Sequence, residues 1–140
     1  MKPTVLFLCT GNSARSQMAE GWLRHLAGDR FDAFSAGTHP VGLNPGSVDA
    51  MAEVGIDIAG HRSKGVGELA DRPFDYVVTV CDRAKETCPL WPGRTKLVHW
   101  SFDDPAAVSD PDARRQTFRR VRDEILGQIR LFLDTTRSEG

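Results

Sequence analysis

The sequence predicts an α/β fold, a single three-layer domain whose central four-stranded parallel sheet carries helices on both faces. The apolar run at 5–8 shows no polar alternation, which is the pattern of a strand buried on both faces, and 76–80 reads as another buried strand. Between such runs lie segments whose apolar residues recur at helical spacing. Cys9, Cys81 and the loop after Trp100 each follow a strand read from the sequence. Open parallel sheets bind ligands beyond the carboxyl ends of their strands, so these three segments are expected on one functional edge.

Residues 5–8 read as the central strand. From 17 to 27, Met18, Trp22, Leu23 and Leu26 mark a helix, and Gly28-Asp29 supplies its stop. Residues 31–36 read as a second strand. The segment 46–54 carries Val48, Met51 and Ala52 at helical intervals, with Ile56 beyond, and Gly55 ends it. A short helix is expected over 66–70, followed by strands at 76–80 and 96–100. From 112 to about 136, Phe118, Val121, Ile125, Ile129 and Phe132 form one apolar stripe on a long closing helix. Arg114, Arg115, Arg119, Arg120 and Arg122 are assigned to its solvent face. No internal repeat or linker interrupts the chain, so residues 1–140 are read as one domain.

A chain of 140 residues can bury a sufficient core without disulfides or metals. Its 18 Lys and Arg residues nearly cancel 19 Asp and Glu residues, which leaves no global field for nucleic acid or an anionic membrane. Any anion must be caught locally. The apolar stretch before Cys9 is too brief for a signal-peptide core, and no run reaches membrane-spanning length. The chain is read as a cytoplasmic monomer. In a reducing compartment, three cysteines point to working thiols rather than a structural framework.

The densest chemistry lies in Cys9, Thr10, Gly11, Asn12, Ser13, Ala14, Arg15 and Ser16. A short loop between a strand and a helix can turn successive backbone N–H groups inward as an anion nest, and the helix adds its positive N-terminal end. Gly11 is expected to permit the tight backbone. Arg15 can present two parallel N–H groups to a tetrahedral oxyanion, and its charge favours the thiolate of Cys9. No Gly-Lys-Ser/Thr follows, so the loop is not of the Walker type.

A hydrolase needs one cysteine, whereas a reductase needs a source of two electrons. Cys88 lies seven positions after Cys81, and the segment between them is rich in helix formers. A helix would separate the two by about 10.5 Å along its axis, from a rise of about 1.5 Å per residue. A disulfide needs Cα atoms within roughly 4.4–6.8 Å, so oxidation of that pair requires the segment to unwind. Pro89 and Pro92 favour irregular chain just beyond. Asp103 and Asp104 precede Pro105, and a carboxyl group in that loop could serve as a general acid. No cysteine or histidine cluster has zinc spacing, and no metal is expected. His25, His39, His61 and His99 are assigned structural or exposed positions, and Glu20 the helix surface or a cap.

The run Cys-Thr-Gly-Asn-Ser-Ala-Arg-Ser-Gln-Met-Ala-Glu-Gly-Trp at 9–22, with Ser-Ala-Gly-Thr at 35–38, Val-Thr-Val-Cys-Asp at 78–82, Cys88-Pro89 and His-Trp-Ser-Phe-Asp-Asp-Pro at 99–105, resembles the low-molecular-weight tyrosine phosphatase superfamily. Within it, these motifs are most similar to the thioredoxin-coupled arsenate reductases. The resemblance spans nearly the whole chain. It implies that Cys9 attacks arsenate, for which phosphate or sulfate can stand in, while Asp104 protonates the departing oxygen. It further implies a Cys9–Cys81 disulfide, then a Cys81–Cys88 disulfide that thioredoxin reduces; related enzymes use glutaredoxin or mycothiol. No tightly bound cofactor is implied. Asn12, Glu20 and Ser35 match positions that hold a monovalent cation in some of these enzymes, but Lys64 stands where a further acidic ligand belongs. The alternatives are a phosphatase acting on phosphate monoesters and a redox or oxyanion sensor. Ala106 follows Asp104-Pro105 where tyrosine phosphatases carry an aromatic residue, which disfavours the first.

Overall fold

The computed structural model describes residues 2–69, 72–80 and 95–139. Strand β1 (Thr4–Cys9) is the axis of the sheet, and residues 5–8 are wholly buried, as their unbroken apolar run requires. It pairs in parallel with β2 (Asp32–Gly37) on one side and β3 (Tyr76–Thr79) on the other. Strand β4 (Lys96–His99) is added in parallel outside β3, giving the order β2-β1-β3-β4. The chain leaves β1 toward one edge and later returns toward the other. The carboxyl end of β1 is therefore the topological switch point, where such sheets open a crevice.

Helix α1 (Arg15–Ala27) and helix α3 (Pro111–Glu139) cover one face of the sheet. The register places Phe7 beside Ser35 and Val78, and Val5 beside Tyr76, on that face. Ser35 meets Glu20 of α1, and Phe132 of α3 meets the rings of Tyr76 at 5.0 Å and Trp100 at 6.3 Å. Helix α2 (Pro45–Ala52) packs on the other two helices. A Cβ at Gly46 would come within 2.6 Å of the Phe118 ring, and one at Gly21 within 2.9 Å of Ile58, so both glycines mark close packing around α2. On the opposite face Phe34 meets Phe74 edge-on, with the Arg72 guanidinium 4.8 Å from the Phe34 ring centre. The helix expected over 82–87, with Cys81, Cys88, Pro89 and Pro92, lies outside the described residues.

The long stripe of α3 is buried throughout: Phe118, Val121, Ile125, Ile129 and Phe132 all face the core. Each such burial is worth about 1.5–3 kcal/mol relative to exposure, enough to hold an arginine-rich helix against the sheet. Two apolar assignments fail. Leu26 is 39% exposed, because α1 is enclosed nearly all round only as far as Leu23, and in its last turn Ala27 alone faces inward. Ala52 is exposed because α2 is already closing there. Gly55, at φ 82°, donates to Ala52 O while Ile56 N–H reaches back to Met51 O, a Schellman closure with buried Ile56 as its apolar seat. Gly28 also ends its helix, but in a right-handed conformation at φ −62°.

Of the arginine group on α3, Arg122 is reassigned. Arg122 is buried, with its guanidinium 2.9 Å from Ala50 O and 3.0 Å from Glu53. Arg119 grips the same Glu53 through two nitrogens and holds that carboxyl below its usual range. Arg114 donates to Val108 O and Ser109 O, Arg115 faces Asp112, and Arg120 meets Asp103 and Glu124. Arg115, Arg119 and Arg120 are exposed, as assigned, whereas Arg122 is turned inward and Arg114 is half-buried against the segment before the helix.

Candidate active site

The loop between β1 and α1 is shaped by what its carbonyls bind. Cys9 O accepts from Thr38 N–H, Thr10 O from His39 N–H, Gly11 O from Val41 N–H, and Ser13 O from Asn44 N–H, at 2.8–3.1 Å. Asn12 O accepts from Gln17 Nε2 at 3.2 Å, and Ala14 O takes the first helical bond, from Met18 N–H. Six successive carbonyls are thus tied to surrounding chain. In a trans peptide the N–H of the next residue points the opposite way, so the N–H groups of the loop turn toward its centre. Asn12 N–H illustrates this, lying 3.3 Å from Cys9 Sγ.

The tight backbone expected of Gly11 falls instead on Asn12, at φ 47°. Asparagine tolerates the left-handed region better than most residues, and its side chain is anchored here. Gly11 instead leaves room for the neighbouring chain, since a Cβ there would lie 3.0 Å from Val41. Gly37, at the end of β2, is more strictly required. A Cβ on it would stand 2.6 Å from Thr10 O and 2.8 Å from Asn12 N, both backbone atoms.

A chain of hydrogen bonds leads to Cys9. Asn12 Oδ1 accepts from Lys64 N–H and from Gln17 Nε2, so its amide nitrogen must face Ser16, to which it donates at 2.8 Å. Ser16 Oγ lies 2.9 Å from Cys9 Sγ. Gln17 Oε1 in turn lies 3.0 Å from His61 Nδ1, which assigns the histidine proton to that nitrogen. Asn12, Ser16 and Gln17 are completely buried.

The chain of contacts ends at Glu20, whose place along the sequence suggests the helix surface or a cap. It is buried because α1 turns it onto the sheet, where it accepts from Ser35 Oγ at 2.7 Å and pairs with Arg24 at 3.2 Å. His61 Nδ1 and Lys64 Nζ stand 3.5 and 3.9 Å from its oxygens. Burial lowers His61 from its ordinary value of 6.5 and Lys64 from 10.5, with Glu20 opposing the shift in both. Asn12, Glu20, Ser35 and Lys64 are therefore neighbours in space. Among the described residues no group of His, Cys, Asp and Glu could hold a metal ion.

Arg15, in the first turn of α1, reaches over the loop to donate to Phe102 O at 3.1 Å. Its other terminal nitrogen lies 3.8 Å from Asp104 Oδ2. The two adjacent carboxylates are separated in function by direction: Asp104 lines the cleft, and Asp103 turns away to Arg120 at 2.9 Å. The cleft, about 310 Å³, is bordered by Cys9, Gly11, Arg15, His39, Val41, Asp104 and Ala106. The arrangement can receive a small tetrahedral anion between backbone N–H groups and the Arg15 fork, in line with a nucleophilic sulfur and beside a carboxyl group.

Sequence reasoning missed the supports: the strap at 38–44, Gln17, His61, Ser63, whose hydroxyl lies 3.1 Å from Gly11 O, and the backbone of Lys64. The polar Gln17 beside buried Met18 was the one signal that a helix face carried more than packing.

A family model described as low molecular weight phosphotyrosine protein phosphatase matches residues 4–139. The chain belongs to this family. Within the low-molecular-weight phosphatase family, an arsenate reductase of Halalkalibacterium halodurans is 47% identical over 135 residues, 96% of this chain and 97% of the relative. A solved structure of a thioredoxin-dependent arsenate reductase from Corynebacterium glutamicum superposes with a TM-score of 0.79 at 28% identity, covering 99% of this chain and 64% of that one. Another, an arsenate reductase in the phosphate-binding state, gives 0.76 at 29% identity over 96% of this chain and 98% of its own.

Proposed function

We propose that the chain reduces arsenate to arsenite and takes its electrons from thioredoxin. The observation that carries this is the ring of inward N–H groups around Cys9, closed by Arg15 and faced by Asp104. The Cys9 thiolate forms an S–As bond as one arsenate oxygen leaves as water, taking a proton from Asp104. The loop N–H groups and Arg15 stabilise the charge on the remaining oxygens without reorganising. The Cys81 thiolate then attacks Cys9 Sγ, the S–As pair passes to arsenic, and trivalent arsenite departs. Cys88 attacks Cys81, freeing Cys9 and leaving a Cys81–Cys88 disulfide for an external dithiol to reduce.

The relative in Halalkalibacterium supports the substrate, and the thioredoxin-dependent structure from Corynebacterium supports the reductant. No tightly bound cofactor enters the scheme, and the Lys64 ammonium beside Glu20 takes the place of a monovalent cation. The protein acts as a cytoplasmic monomer of one domain. Among the described residues no helix is long and apolar enough to cross a membrane.

The test is NADPH consumption with arsenate, thioredoxin and thioredoxin reductase, beside hydrolysis of an aryl phosphate. Arsenate-dependent oxidation abolished by Cys9→Ser, Cys81→Ser or Cys88→Ser, and equal in sodium and potassium buffers, is expected. Aryl phosphate turnover alone, indifferent to Cys81→Ser and Cys88→Ser, identifies a phosphatase instead. Neither activity leaves a sensor.

A further inference from the structure

Asp104 sits on a segment with little regular structure, and what holds it over the cleft is visible at three points. Its Oδ1 caps the short 3-10 turn Pro105–Ala107 by accepting from Ala106 N–H at 3.0 Å. Downstream, Arg114 of α3 binds Val108 O at 2.7 Å and Ser109 O at 2.8 Å. Upstream, Arg120 of α3 binds the Asp103 carboxylate at 2.9 Å, while its second terminal nitrogen meets Glu124 at 2.9 Å. Arg120 is thus held by its own helix and by the residue next to Asp104. Consecutive side chains of extended chain point in opposite directions, so fixing Asp103 outward turns Asp104 inward. A rigid helix anchored by its apolar stripe thereby sets the orientation of the acid.

We propose that Arg120, through Asp103, is a positioning residue for Asp104. Arg120 touches neither substrate nor Cys9; it biases the segment toward the arrangement in which Asp104 faces Arg15. The inference rests on the reading of Asp104 as the proton donor. Arg120 is about half exposed and Asp103 more so, and the bias is therefore that of a solvent-screened pair, at most about fivefold in population.

The experiment is a double-mutant cycle on kcat/KM for arsenate, which reports the steps up to loss of the leaving oxygen. Arg120→Gln and Asp103→Asn are each expected to lower it by about two- to fivefold, with Arg120→Lys restoring most of the loss. In an Asp104→Asn background, itself lower by about 10²-fold or more, Arg120→Gln should cost nothing further, because there is no acid left to aim. Arg115→Gln, whose partner Asp112 lies in the first turn of the same helix, is expected to leave activity unchanged. An equal loss from Arg120→Gln in both backgrounds, or none in the wild type, overturns the inference while the Asp104 reading stands. A fully active Asp104→Asn protein overturns both.

Discussion

Residues 9–16 and 101–110 face each other across one cleft, yet they are held by different kinds of bond. The first loop hangs on buried hydrogen bonds among Asn12, Ser16 and Gln17, joined by a part-buried one from Lys64 N–H. The second is held largely by arginines of α3 on exposed carboxylates and carbonyls. The difference matches the two roles. An oxyanion is stabilised best by donors that need no rearrangement. Segments that open and close around ligands are drawn from the weakly held parts of a fold.

Arg15 joins the two halves, since it starts α1 yet bonds to Phe102 O and faces Asp104. Arg15→Lys keeps the charge but cannot span both contacts. It is expected to lower kcat/KM for arsenate about ten- to hundredfold, the worth of one charge-assisted hydrogen bond of about 1.5–3 kcal/mol. A lysine variant with wild-type kinetics would mean that charge alone matters and that the halves are independent.

The rigid half is broken most directly at Gly37. A methyl group there meets two backbone atoms below 3.0 Å, so Gly37→Ala should cost about 1–3 kcal/mol of stability by urea denaturation and impair arsenate turnover as well. Gly60→Ala, with open space around the added atom, provides the control and should cost almost nothing.

The smallest effect expected is a pH dependence within the buried network. Burial holds His61 below 6.5, so the unfolded chain binds its proton more readily than the fold does. Stability contributed by neutral His61 is fully present above 6.5 and is lost as pH falls from there through the lower folded value. His61→Gln keeps an N–H for Gln17 and removes the titration. Denaturation from about pH 5 to pH 8 should show a difference between the two proteins that shrinks as pH falls. Parallel curves would separate His61 from the network.

The unbroken apolar run at 5–8 declared a strand buried on both sides, and the seven-residue reach from Cys9 to Arg15 declared a tight loop between strand and helix. Such features are legible because they are local: burial on two faces leaves no place for polar alternation, and the loop is short enough that its residue types dictate its geometry. Glu20 was not legible in the same way. Nothing in its neighbours along the chain says that Ser35, His61 and Lys64 will surround it, since these lie on other segments. Arg122 failed for the related reason that helical period identifies a face without saying what packs against its border.

The sequence by itself determined the parallel α/β architecture and the position of the tight loop between β1 and α1, because both follow from periodicity and from short-range backbone geometry. The preference for Asp104 over Asp103 came from the resemblance to arsenate reductases. Only the tertiary structure decided which atoms hold that loop open, which residue takes the left-handed turn, and where Asp103 points. Those outcomes depend on contacts between segments far apart in the chain, such as Gly37 against Thr10 and Asp103 against Arg120, and no local pattern encodes them.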